Sequence, residues 1–436
     1  MKLKNKTFII FALLAFLLCA TSYCYEDTAK VRLDNGAVIL VKEDYKMDII
    51  VINILFKVGL KQEEAQTSGA TNLIRALIFK DDEYSSYISE KMEDLGAALS
   101  VETMPDYFSI RCFTTKEHFK ECLDLLYSGL VNQNFEVKML ETEKGKVLKI
   151  LKDPYGSFGS IYDFFLQNFY QNHPYRLIQL GTSTAVRNID PVIISGFYHR
   201  YFSPNNMVVS VCGDYNKTTA LKELTNRFSH MSRQELPMIK IDWEPPSKDN
   251  NLFLNLRSNV SWVMIGYSAP SYKSPDYPIM LLIKNYLSEG TSSQIWTQIR
   301  ETEGLAYDLG GLFPQLEGPS HFAVYVVTDP ANTWICKKKI LNEINNVRSV
   351  FLDYKTLDEV KEKTLANYVL SRERVASKSI NTGIAELFNM DYTYDDRLKD
   401  EILAVTPSDI KRVANIYLVN PTIILAKPSI SIQDMF

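Results

Sequence analysis

Catalytic equipment is scarce in this chain of 436 residues. Its 5 histidines stand at positions 118, 173, 199, 230 and 321, and no two are three to five residues apart. None pairs with a cysteine, so a zinc cluster of ordinary spacing is excluded. His173, ahead of Pro174-Tyr175, and His199, among aromatics on a helix, read as structural residues. There is no Cys-x-x-Cys, no Gly-x-Ser-x-Gly elbow and no phosphate loop, which removes the common redox, serine-hydrolase and nucleotide chemistries. Gly304, Gly310 and Gly311 make no dinucleotide fingerprint, because no strand runs directly into a helix there. Basic residues do not cluster and the formal net charge is −4, so neither nucleic acid nor an anionic membrane is an expected partner.

Long apolar runs are also missing, apart from one at the start. Lys2, Lys4 and Lys6 precede an apolar stretch over 8–20, too short to span a bilayer comfortably, and Ala20 and Ser22 offer a cleavage site. Residues 1–24 read as a signal peptide, with an uncleaved anchor as the alternative. The expected location is therefore periplasmic or extracellular, with no membrane span after cleavage. Cys112, Cys122, Cys212 and Cys336 are dispersed in apolar surroundings and read as buried free thiols. A Cys112–Cys122 bridge is the alternative in an oxidising compartment.

What the chain does have is ordinary globular material, 46% hydrophobic and 23% charged. Asn35-Gly36 between two β-branched runs predicts a hairpin over 31–41. The run over 48–58 predicts a buried strand ending at Gly59, and residues 97–101 and 107–114 alternate as strands. Helices are expected over 69–80, 84–95, 116–131, 135–152, 159–171 and 191–201, then a strand over 206–212. Residues 232–251, with Pro237, Pro245 and Pro246, read as a linker. Beyond them come a strand over 260–267, a helix over 278–287, strands over 309–313 and 321–328, and helices over 334–350 and 357–374. Each half closes on a proline-started helix and a terminal strand, from Pro191 in one and from Pro407 in the other. An internal duplication is the economical reading. The expected fold class is α+β: two homologous sandwich domains, over 25–231 and 252–436, with helices packed on mixed, largely antiparallel sheets.

Two stretches invite a chemical reading. Between 69 and 80, apolar Leu73, Ile74, Leu77 and Ile78 recur at helical spacing, which puts positions 72 and 76 on one face with 75 beside them. Two imidazoles and a carboxylate at those places would hold and use a zinc ion. The residues there are Asn72, Arg75 and Ala76, none of them a ligand. In the second half a helix ending near Arg300, a turn at Gly304 and an extended segment from Tyr307 put a guanidinium and a phenol on adjacent elements. Both can donate to a peptide carbonyl or a developing oxyanion. A surface arginine beside a half-buried strand tyrosine is the plainer reading of the same residues.

These stretches, taken in order, resemble the M16 (pitrilysin/insulinase-like) metallopeptidases of the short two-domain class. The likeness runs through Leu33-Asp34-Asn35-Gly36, Val58-Gly59, residues 69–80, Leu95-Gly96-Ala97, His173-Pro174-Tyr175, residues 201–207, Gly213-Asp214 and residues 300–307. It implies a LuxS/processing-peptidase-like fold in each half. The family's inverted His-x-x-Glu-His falls on Asn72, Arg75 and Ala76, and its distal glutamate falls near Ile150, with Lys149 as the one-residue slip. The resemblance therefore implies no metal bound by this chain and zinc in a partner subunit. It also implies substrate contacts at Arg300 and Tyr307, and an edge strand at Ala98, Leu99, Ser100 and Val101 that takes peptide by β-augmentation. The expected role is a non-catalytic subunit that pairs with a catalytic M16 subunit as a heterodimer, binds peptide substrates and supplies Arg300 and Tyr307 in trans. The alternatives are a non-enzymatic peptide-binding or scaffold protein and, more remotely, an active zinc endopeptidase with unrecognised ligands.

Overall fold

The computed structural model describes residues 28–80, 87–152 and 158–429; the signal segment and the first residues of the helix expected from 84 lie outside them. Two sheets form the frame. The first contains β1 (Ala29–Arg32), β2 (Val38–Glu43), β3 (Ile50–Phe56), β4 (Ala98–Thr103), β5 (Phe108–Thr114) and β6 (Met207–Gly213). Their order is β1-β2-β6-β3-β5-β4, and only the β2–β6 pair is parallel. The second contains β7 (Asn250–Leu256), β8 (Ser261–Ala269), β9 (Ala306–Leu312), β10 (Ser320–Thr328) and β11 (Thr422–Pro428). Their order is β7-β11-β8-β10-β9, again with one parallel pair, β7–β11. Laid side by side, β2, β6, β3, β5 and β4 correspond to β7, β11, β8, β10 and β9. The fold is α+β with largely antiparallel sheets, and the repeat seen in the two chain endings extends to the whole strand order.

Central strands carry continuous apolar sequence because both of their faces are covered. Every residue of β3, Ile-Val-Ile-Asn-Ile-Leu-Phe, is buried. Its one polar member, Asn53, donates to Ser379 Oγ at 2.8 Å and accepts from Arg111 Nε at 3.1 Å, which removes the cost of burying an amide. One face of the first sheet packs against helices Ala70–Leu77, Phe119–Val131, Val137–Lys152, Pro191–Tyr201 and Lys217–Phe228. One face of the second packs against helices Tyr277–Ser288, Thr333–Ser349, Tyr354–Arg372, Tyr394–Ala404 and Pro407–Tyr417.

The opposite faces are covered by exchange. Helix Phe158–Tyr170, from the first half of the chain, lies on the second sheet through Ile161, Phe165 and Phe169 against Met264, Ala323 and Ile424. Helix Val375–Leu387, from the second half, lies on the first sheet, its Ile384 and Ala385 in one apolar cluster with Leu40, Leu55 and Val208. Contact is close enough that side chains are absent at the crossing points. A Cβ on Gly266 would sit 2.2 Å from the Phe165 ring, and one on Gly383 2.5 Å from Leu55 Cδ1. Neither half can move away from the other without uncovering a sheet face to water.

Several elements were not expected from the sequence. β7 begins at Asn250, inside the stretch read as linker, and its alternating burial marks it as an outer strand. Residues 231–249 hold no helix or strand. Helices Ser183–Asn188, Lys217–Phe228, Val375–Leu387 and Tyr394–Ala404 also went unread.

Candidate functional site

Helix Ala70–Leu77 is built as a metal-binding helix would be, but its outward chemistry is different. Gly69 ahead of it has φ 92°, and a Cβ there would meet the Leu180 carbonyl oxygen at 2.7 Å, so glycine is needed for both the turn and the approach. No side chain at the usual cap position holds the helix start. Glu63 does so from a distance: Oε2 accepts from Gly69 N at 2.8 Å and Oε1 from Thr71 N at 3.0 Å. Burial pushes this carboxyl up to about 7, against the pull of the two backbone N–H groups.

On the helix, Asn72 is buried and Arg75 is exposed, and Arg75 Nε donates to Asn72 Oδ1 at 3.2 Å. Beside it runs helix Val137–Lys152, where Ile150 is 57% exposed. The nearby Glu143 is buried but engaged by Lys80 and, at 2.7 Å, by Lys146. Burial raises its carboxyl, the two ammonium groups outweigh that, and the net displacement is downward. A carboxamide, a guanidinium, a methyl group and an isoleucine offer zinc nothing to bind, and the adjacent carboxylate is already neutralised by lysines. The residues present do not fit the metal. Among the described residues there is also no group of three or more His, Cys, Asp and Glu arranged to hold an ion.

Ile150 instead lines a cleft of about 970 Å³ with Leu151, Phe164, Leu177 and Leu180. The cleft lies between the end of its helix, helix Phe158–Tyr170 and the segment 176–183. Sequence reasoning missed it, because an isoleucine where a glutamate was sought was read only as a loss.

The proposed peptide-binding residues lie on two corresponding edges. Ala98, Leu99, Ser100 and Val101 belong to β4, the outermost strand of the first sheet, where they pair with Phe113, Cys112, Arg111 and Ile110 of β5. Ala98 is exposed and the other three are half-buried. Tyr307 belongs to β9, the outermost strand of the second sheet at the matching position, and is 61% exposed. Arg300 comes from a wide helical turn, Thr297–Glu301, in which Thr302 N reaches back to Thr297 O at 3.0 Å. The chain then reverses at Gly304, φ 63°. Arg300 stacks over Trp296 at 4.8 Å and its Nη1 donates to the backbone carbonyl of Tyr307 at 2.6 Å. The two residues are thus brought together, through the strand's carbonyl group.

His199 is exposed on helix Pro191–Tyr201. His173 is buried, its Nδ1 accepting from Tyr175 N at 3.1 Å to cap a short 3-10 turn. Among the described residues, no helix is long and apolar enough to cross a membrane.

Residues 38–182 match the family model for insulinase (peptidase family M16), and residues 161–363 match that for the peptidase M16 inactive domain. Zinc protease PqqE of Helicobacter pylori is 22% identical over 416 residues, covering 91% of this chain and 92% of its own. YmxG of Bacillus subtilis, an uncharacterized zinc protease, is 20% identical, covering 87% of this chain and 93% of its own. Among solved structures, a protease from Helicobacter pylori superposes with a TM-score of 0.85 at 21% identity, over 92% of this chain and 100% of that one. A peptidase M16 inactive domain from Pseudomonas fluorescens gives 0.83 at 17% identity, over 93% of this chain and 98% of that one. The two matched regions run without a break from residue 38 to residue 363, and with the two-sheet architecture they make this chain a member of the M16 peptidase family whose zinc motif is degenerate.

Proposed function

We propose that this protein is the non-catalytic subunit of an exported M16 peptidase: it pairs with a zinc-bearing M16 chain, holds extended peptide along β4 and offers Arg300 and Tyr307 to the partner's active site. The observation that carries the reading is the contrast between the two halves. At the metal helix every position that would bind or use zinc holds Asn72, Arg75, Ala76 or Ile150, while Glu63 still caps the helix and the fold around it is intact. In the second half, Arg300 and Tyr307 remain on an accessible edge. An outer strand supplies a free row of backbone donors and acceptors, and a peptide adding to it is held in extended form, ready for cleavage. A guanidinium aimed at the developing oxyanion is worth roughly 3–4 kcal/mol, or two to three orders of magnitude in rate.

The test is co-expression with an M16 chain bearing an intact His-x-x-Glu-His, taken from a neighbouring reading frame. Peptide hydrolysis should appear only in the mixture and be abolished by a chelator. Arg300→Ala should depress it 100-fold or more while leaving the complex assembled, by the same magnitude. A stable complex indifferent to Arg300 would favour a scaffold instead. One contact speaks for that second reading: Arg300 Nη1 is engaged by its own strand at Tyr307 O, and it must be released, or shared, before it can serve a substrate.

A further inference from the structure

A cavity of about 460 Å³ is lined by both halves and by the segment 231–249 that connects them. The first half contributes Lys57, Lys61, Gln62 and His173, and the second Lys273 and Glu317. Leu236, Pro237, Ile239 and Ile241 of the connecting segment supply an apolar wall. Pockets of this size and mixed lining, at the boundary between two domains, are where small ligands are commonly held. None of these residues belongs to β4, β9 or helix Ala70–Leu77.

The polar side of the cavity is rich in donors and poor in acceptors. Lys57 and Lys273 both reach Glu317 Oε1, at 2.5 and 2.8 Å, and Lys61 lies 3.3 Å from Oε2. Burial raises the Glu317 carboxyl, but the lysines outweigh it and hold it down at about 2, so it is ionised at neutral pH. Asp106 stands behind Lys61 at 2.9 Å, its oxygens also taken by the Tyr175 hydroxyl and by Glu317 N. Three ammonium groups thus meet two carboxylates, and one positive charge is left over. Held this close, the ammonium groups also repel one another, which an added anion relieves. His173 supplies a further donor. Its Nδ1 accepts from Tyr175 N at 3.1 Å, and burial, with Lys61 nearby, lowers the ring to about 4, so it is neutral with its proton on Nε2. The residue is 2% exposed, and among the described residues Nε2–H has no acceptor. A donor so enclosed is costly to leave unpaired, and this one belongs to the lining of the cavity.

We propose that this cavity binds a monocarboxylate carrying an apolar side chain, either a free organic acid or the last residue of a peptide. One negative charge matches the unpaired positive charge. The carboxylate oxygens accept from the lysine ammonium groups and from His173 Nε2–H, and the side chain packs against Leu236 and Ile241. Inorganic phosphate suits the site less well, because it carries more charge than is unmatched and offers nothing to the apolar wall.

The inference does not depend on the helper-subunit reading, which is tested by hydrolysis in a mixture of chains. The full chain is titrated calorimetrically at pH 7 with N-acetylleucine, N-acetylleucine amide and inorganic phosphate. N-acetylleucine should bind saturably, one per chain, and the amide and phosphate about tenfold more weakly or not at all. Lys273→Gln should weaken N-acetylleucine about tenfold. Lys355→Gln, which removes the same charge from an exposed position on another helix, should leave binding unchanged. N-acetylalanylleucine separates the two sources: binding as tight as that of N-acetylleucine identifies a peptide end, and weaker binding the free acid. The proposal is overturned by no saturation at about 5 mM N-acetylleucine, where a millimolar site would be mostly filled. It is overturned equally by amide or phosphate binding as tightly as the acid, or by equal weakening in both variants. The comparison of ligands on the wild type decides this by itself, even if Lys273→Gln fails to fold.

Discussion

Acid should weaken the seam between the two halves through His321. This residue of β10 is buried against the exchanged helix, with Nε2 2.7 Å from the Tyr162 hydroxyl and Nδ1 2.8 Å from that of Tyr170. The Tyr170 hydroxyl donates to the Pro319 carbonyl at 3.0 Å, so it accepts from Nδ1–H, and Nε2 accepts the Tyr162 proton. The ring is therefore neutral, and a second ring proton, on Nε2, would take from the Tyr162 hydroxyl the acceptor of its own proton. Burial pushes its pKa down to about 3 from an ordinary value of 6.5. In the unfolded chain the imidazole takes up its proton at the ordinary value, so the stabilising contribution is complete above pH 6.5. It falls as the pH drops and levels off below about pH 3. Between pH 7 and pH 5 the loss from this residue is about 2 kcal/mol.

The assay is urea denaturation at pH 7, 6 and 5, comparing the wild type with His321→Gln, whose amide cannot titrate. His173 is likewise lowered, to about 4, by burial with Lys61 adding to it, so the wild-type slope alone would mix two residues. The difference between the two proteins isolates His321. Its variant should start less stable at pH 7 and lose about 2 kcal/mol less on acidification. Equal losses in both proteins would refute the neutral, doubly bonded ring.

Three further outcomes are expected. Gly266→Val forces a branched side chain into the Phe165 ring and should cost about 2 kcal/mol, read as a lower urea midpoint at unchanged slope. Glu63 behaves oppositely to His321: its folded pKa of about 7 lies above the ordinary 4.5, so its contribution is complete below pH 4.5 and declines by about 3 kcal/mol as the pH rises past 7. Glu63→Gln should be less stable than wild type at pH 5, having lost one acceptor at the helix start, yet flatter toward pH 8 in the same denaturation series. Restoring Asn72→His, Arg75→Glu and Ala76→His should leave the protein with little zinc by elemental analysis, whereas adding Ile150→Glu completes the ligand set and should bring stoichiometric metal. Equal zinc in the triple and quadruple variants would show that position 150 is not the distal site.

Much of the fold was legible because its signals are local. The Asn35-Gly36 turn between β1 and β2, the unbroken apolar run of β3, and the proline-started helices Pro191–Tyr201 and Pro407–Tyr417 all announce themselves within a dozen residues. Helix Val375–Leu387 did not, since its sequence mixes Ser377, Lys378, Ser379 and Asn381 with apolar residues. Two of those polar side chains serve the other half: Ser379 donates to Ser210 O at 2.8 Å and Lys378 engages Asp44. β7 was hidden for a related reason. It alternates weakly and begins on asparagines, and becomes a strand only by pairing in parallel with β11, some 170 residues later. The capping of the metal helix by Glu63 was equally invisible, because it joins residues six and eight apart across a turn whose shape depends on Gly69 packing against Leu180.

The exchange of helices bears on where a peptide can be admitted. A chamber that opens within one chain would have to separate the halves. That would uncover Leu55 and Val208 on one sheet and Met264 and Ile424 on the other, and break the bonds of His321, Asn53 and Ser379 that cross the seam. Buried polar groups stripped of partners cost about 1–3 kcal/mol each, in addition to the exposed apolar area. The two candidate peptide-binding edges, β4 and β9, lie at the same place in each sheet's strand order, each the last strand of its sheet among the described residues. On the proposed pairing, motion that opens a path to them costs less between two chains than inside this one, where it must break the seam. The helper role proposed above rests on that division, with the two halves locked by exchanged helices and β4 and β9 at the ends of their sheets.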